Sequence, residues 1–181
     1  MKLLFKYLPL ALLMGLLAVL WLAWERHLHP VEMQQKVIPF PDFNVVDIRN
    51  PKQKITQEDL KGKISLVHVW ASWCSVCVQE HDVWKNIAQQ YDYPVIGMVY
   101  RDAPADFLAI LKEKGDFYHY LINDFSGNIG LKLGLMGTPE TYIIDQAGLI
   151  RFHYLGGITP TLFKEHFLPV ISQLEQNQHV E

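Results

Sequence analysis

Cysteine is almost missing from this chain: of 181 residues, only Cys74 and Cys77 carry a thiol. Any thiol chemistry must come from that one pair. Charge is also sparse, at 19% of residues with a net of -3, and no run of Lys and Arg resembles a nucleic-acid footprint. Nucleic acid is therefore not an expected partner. No internal repeat or low-complexity tract occurs, and half the residues are apolar, enough for one folded core.

The first long stretch without charge runs from Tyr7 to Trp24. Its 18 residues would span about 27 Å as a helix, close to the hydrocarbon thickness of a bilayer. Lys2 and Lys6 precede it, and Trp21 and Trp24 stand at its far end. This pattern predicts an uncleaved anchor over 1–24 with the rest of the chain outside the cytoplasm, in a bacterial cell on the periplasmic side of the inner membrane. A cleaved signal would have a shorter run and a small-residue site after it; a core helix would show a polar face. Residues 25–39 are expected to be a tether broken by Pro30 and Pro39, 40–176 the folded domain, and 177–181 a tail.

Within the domain, 43–48 reads as a short strand and 56–63 as a helical turn with Thr56 as cap. The run 64–70 and the run 93–100 read as buried strands. Apolar residues at three- and four-residue spacing from Cys74 onward predict a helix, and 102–115 predicts another between Pro104 and Gly115. A short helix is expected over 127–135. Residues 141–155 suggest two strands around a turn at Asp145–Gly148. Thr159 and Pro160 open a last helix that Pro169 should kink. Strands alternating with helices imply an α/β domain, with a largely parallel centre and an antiparallel hairpin added to it.

Three readings compete for the cysteines. They could simply pack as small apolar residues. They could join His68 and His81 as four zinc-type ligands, although the usual order is a Cys pair followed at a distance by a His pair. Or they exchange disulfides. The pair falls where a buried strand hands over to a helix, whose N-terminus favours a thiolate at Cys74. Cys77, one turn on, can resolve a mixed disulfide, and Trp73 would screen one side. Only the last reading accounts for both spacing and position.

The segment "VHVWASWCSVCVQE" resembles the active site of thioredoxin-like proteins, and "GTPETYIID" (137–145) resembles their proline loop. The closer resemblance, from about 37 to 175, is to the membrane-anchored cytochrome c biogenesis reductases called CcmG or DsbE. It implies a thioredoxin-like fold with a mixed sheet flanked by helices, and a protein-disulfide reductase with Cys74 and Cys77 as catalytic pair. It also implies a cis bond from Thr138 to Pro139, with Trp73, Thr138 and Pro139 binding substrate. Glu80 would be an acidic tuner, and no cofactor beyond the Cys74–Cys77 disulfide is implied. The implied partners are apocytochrome c or thiol proteins of its maturation, with a transmembrane thiol carrier as electron donor. Two features depart from the pattern. Ser75 stands where that branch often has Pro, and His68 stands where thioredoxins usually carry a buried acid. An imidazole at that position could move protons to or from Cys77, or simply be a satisfied buried His.

Overall fold

The computed structural model describes Tyr7, residues 12–21 and residues 37–178. The chain divides into two compact units, Met1–Val31 and Glu32–Glu181. In the first, helix α1 includes the described residues 12–21, all of them exposed, and Tyr7 is helical and exposed as well. Among the described residues, no helix is long and apolar enough to cross a membrane. The expected single-pass anchor, and with it the placement of the chain at an inner membrane, is thereby corrected. The remainder of the 1–24 span, residues 25–36 of the tether and residues 179–181 of the tail lie outside the described residues.

The second unit carries a six-stranded mixed sheet in the order β1-β8-β7-β4-β5-β6. Strands β4 (Ser65–Trp70), β5 (Val95–Tyr100) and β6 (Tyr120–Asp124) run parallel, while β7 (Glu140–Ile144) and β8 (Leu149–Leu155) add on antiparallel. A two-residue β1 (Ile38–Pro39) closes the β8 edge. A separate hairpin, β2 (Asn44–Val46) with β3 (Lys54–Thr56), leads into a 3-10 turn at Gln57–Leu60. Thr56 does begin that turn, with Asp59 accepting from its amide and its hydroxyl. The helices are α2 (Ser75–Gln90), α3 (Pro104–Lys114), α4 (Asn128–Leu133), and a C-terminal run of α5 (Pro160–Leu162) and α6 (Leu168–Gln178).

Strand alternation sends side chains to two cores. On one face Val67, Val69, Ile96, Met98, Ile122 and Tyr142 pack with Phe40, Leu60 and α4. On the other, Leu66, His68 and Trp70 are fully buried under α2, whose Trp84 stacks 4.7 Å from His68. Room on that face depends on Gly97. A Cβ there would sit 2.8 Å from Leu121 and 2.9 Å from Tyr118. Gly97→Ala is therefore expected to push the Tyr118 ring aside and destabilise the domain by about 1–3 kcal/mol, read as a lower urea midpoint.

Two expectations change. The stretch Tyr120–Asp124 is a strand that the pattern did not single out, since only three of its five residues are apolar. The last helix does carry an irregularity near Pro169, but it lies one turn earlier. Phe163–Phe167 forms a π turn, in which the Leu168 N–H reaches back five residues to Phe163. Pro169 has no N–H to give to the turn before it, and a wider turn relieves the crowding of its ring against that turn.

Candidate active site

β4 ends at Trp70, and the chain turns through Ala71–Trp73 into α2. Asp102, buried after β5, fixes this turn by accepting from the amide and hydroxyl of Ser72. Cys74 is the N-cap of α2; its sulfur accepts from the Cys77 N–H at 3.2 Å, as a capping oxygen would. Cys74 and Cys77 are joined in a disulfide, with Cα atoms 5.3 Å apart. Cys74 is the more exposed, at 7% against 1%. Trp73 lies open to solvent while its indole N–H holds the Arg101 carbonyl.

Two further loops complete the surroundings. The register Val69↔Glu140 brings the start of β7 beside the end of β4, so Pro139 stands where β4 gives way to the cysteine turn. The Thr138–Pro139 bond is cis, and the Thr138 hydroxyl is buried without a hydrogen-bond partner among the described residues. The third loop is Gly156–Ile158. Gly156 N–H donates to the Pro139 carbonyl at 2.9 Å, and a Cβ on Gly157 would meet Val76 at 2.7 Å. Trp73, Val76 and Met136 leave apolar surface exposed on these segments.

Each face of the sheet contributes a buried carboxylate. Glu80, on α2, lies 2.9 Å from His68 Nε2 and accepts from the Trp84 indole and from the Ile158 N–H. The other imidazole nitrogen of His68 meets the Tyr118 hydroxyl at 3.0 Å. Burial holds that phenol well above its ordinary value, and the charges of Glu80 and Asp116 add to the effect. On the opposite face, Glu140 accepts from the Met136 and Gly137 amides and from Tyr142 and His153. Burial works to raise its carboxyl, but the bonds from His153, Tyr142 and Met136 outweigh it and leave it below 4.5. Glu140 thus shapes the loop that leads into Pro139.

The structure does not gather the four zinc-type candidates. His68 is engaged with Glu80 and Tyr118, and His81 points to the Gly115 carbonyl at 2.8 Å. Among the described residues, no group of three or more His, Cys, Asp or Glu side chains could hold a metal ion. Sequence reading passed over Tyr118, Asp102 and the role of Glu140. The signal for Glu140 was an acid opening an otherwise apolar strand, which demands buried partners. Nothing in the local sequence marks Tyr118, 50 residues from the imidazole it meets.

Three buried groups, His81, Glu140 and Asp47 beside Arg49, make the fold acid-sensitive. Burial lowers His81 below 6.5, and the Arg49 contacts bring Asp47 below 3.8 despite its burial. His81, Asp47 and Glu140 all bind protons more readily when unfolded, so unfolding takes up protons in acid. The His81 contribution is complete above about 6.5 and fades below it; those of Glu140 and Asp47 fade below about 4.5 and 3.8. The urea midpoint should fall steadily from pH 7 to pH 3. A flat profile across that range would contradict these assignments.

The profile of the Redoxin family matches residues 36–166. The chain belongs to this family. It is 40% identical over 159 residues to the thiol:disulfide interchange protein DsbE of Pseudomonas fluorescens biotype C, covering 87% of each chain. It is 35% identical over 144 residues to DsbE of Escherichia coli K12, covering 78% of this chain and 77% of that protein. Among solved structures, the exposed lipoprotein thioredoxin of Streptococcus pneumoniae superposes with a TM-score of 0.60 at 25% identity, over 74% of this chain and 99% of that one. The fold is thioredoxin-like, and the chain is a DsbE-type thiol:disulfide oxidoreductase with a C-x-x-C disulfide.

Proposed function

We propose that this oxidoreductase works as a reductase in cytochrome c maturation, keeping the C-x-x-C-H cysteines of apocytochrome c, or of a partner thiol protein, ready for haem attachment. The observation that carries the mechanism is the disulfide at the N-terminus of α2, set beside the Thr138–Pro139 loop. In the reduced protein, the Cys74 thiolate attacks one sulfur of the substrate disulfide and the other substrate sulfur leaves as a thiolate. Cys77 then loses its proton and attacks the Cys74 sulfur. The second substrate thiol is released, and the Cys74–Cys77 disulfide forms. Two electrons pass to the substrate, and a donor dithiol returns them. No further cofactor takes part.

Cys74 is the nucleophile in this reading because it is the capping and more exposed sulfur. Trp73 and the Thr138–Pro139 loop receive the substrate chain, Trp73 with its exposed ring and the loop at the start of β7. Glu80 and His68 tune the pair from beneath α2. The cytochrome assignment is supported by the likeness of "WCSVCVQEH" and "GTPETY" to the corresponding segments of the cytochrome c biogenesis reductases. Reduced Cys77→Ala protein, mixed with an oxidised C-x-x-C-H peptide, tests it. A stable adduct through Cys74, formed at least about tenfold faster than with insulin, is expected. Equal rates with both would make it a general reductase, and no adduct at all would remove the mechanism.

A further inference from the structure

Taking Cys74–Cys77 as the reactive pair, as proposed above, we propose that Tyr118 is a positioning residue for it. The Tyr118 hydroxyl donates to Nδ1 of His68, holds the imidazole as its Nε2–H tautomer, and so keeps Glu80 a carboxylate one helical turn from Cys77.

The argument is a count of donors and acceptors. The Trp84 indole and the Ile158 amide can only donate, and both donate to Glu80. As a carboxylate, Glu80 accepts these two and the His68 Nε2–H together. As a neutral carboxyl it would need somewhere to place its own hydrogen. On Oε2 that hydrogen meets the Ile158 N–H. On Oε1 it fits only if His68 surrenders the Nε2 proton and becomes the acceptor. His68 would then carry its proton on Nδ1 and donate it to Tyr118. The phenol hydrogen would have to turn away, and Tyr118 is buried with no other side-chain partner among the described residues. A buried O–H without an acceptor is disfavoured, so the phenol selects the arrangement with an ionised Glu80.

The titratable groups around the imidazole come from several elements. From α2, Glu80 and His81 face the imidazole; from the segment before β6, Tyr118 does, with Asp116 near it. From β8, Tyr154 feels the Glu80 charge. The cross-strand neighbours of His68 are Gly97 and Thr141, both uncharged. Trp70 and Trp84 both stack on the imidazole, with centroids 6.5 and 4.7 Å away, and both are fully buried. Burial keeps the Tyr118 phenol protonated, hence a standing donor. A retained negative charge one turn from Cys77 opposes thiolate formation, which makes the dithiol a stronger reductant.

The test has two readouts on the full chain. Nitrogen NMR of the oxidised protein reports the His68 tautomer, and redox equilibration with glutathione across pH reports the pair. The Nε2–H form is expected in the wild type. Tyr118→Phe should lower the thiol titration midpoint by up to about one pH unit and shift the glutathione equilibrium about tenfold toward the reduced pair. In a Glu80→Gln background, where no carboxylate remains to be held, Tyr118→Phe should add nothing. An Nδ1–H tautomer in the wild type, no shift in Tyr118→Phe, or an undiminished shift in the Glu80→Gln background would each overturn the proposal. If Tyr118→Phe does not fold, the wild-type tautomer decides alone. A wild type that never equilibrates with glutathione would instead sink the redox reading, because the tautomer measurement does not involve the cysteines.

Discussion

Replacing Cys74 with serine should lower the rate of disulfide reduction by about a thousandfold or more, while leaving the fold intact. A serine hydroxyl stays protonated at neutral pH and forms no mixed disulfide, so the first step of exchange is lost. The backbone need not suffer, because an oxygen caps a helix at least as well as the Cys74 sulfur does with the Cys77 N–H. Insulin reduction measured beside far-ultraviolet circular dichroism separates the two effects. Residual activity above about a tenth of wild type would mean that Cys77, at 1% exposure, attacks substrate directly. The order of events proposed here would then be reversed.

The second large effect belongs to Glu140. Its side chain is fully buried, and its two oxygens take four donors: the Met136 and Gly137 amides, the Tyr142 hydroxyl and His153 Nε2. Glu140→Ala orphans all four and opens a cavity among them, at a cost of about 3–5 kcal/mol in unfolding free energy. Activity should fall further than the residual folded fraction explains, because the two loop amides precede Pro139. Glu140→Gln keeps one acceptor oxygen for those amides and should recover part of both losses. A stability loss below about 1 kcal/mol for Glu140→Ala would show that water substitutes for the carboxylate.

How far these features could be read in advance follows from the distance over which each acts. The cysteine turn and α2 were legible because a buried strand and a helix period meet within ten residues. The hairpin at Asp145–Gly148 was legible from its turn residues. β6 was not, because "YLIND" has no alternation strong enough to separate it from loop; its strand state comes from pairing with Ile96–Tyr100. His68 and Glu80 were both marked, yet their partnership was invisible, since only the packing of α2 on β4 brings them to 2.9 Å. Charge absence at the N-terminus pointed to a membrane span, whereas among the described residues no helix is long and apolar enough to cross one.

The loop Gly156–Ile158 ties the two walls of the site together, one end on the Pro139 carbonyl and the other on Glu80. A surface braced in this way is preorganised and has little freedom to adapt. The conformational adjustment needed for docking must then come from the partner, which bears the entropy of becoming ordered. Such an enzyme discriminates by the foldedness of its substrate: a disulfide in a slack, extended chain reaches the sulfur readily, and the same bond inside a finished domain does not.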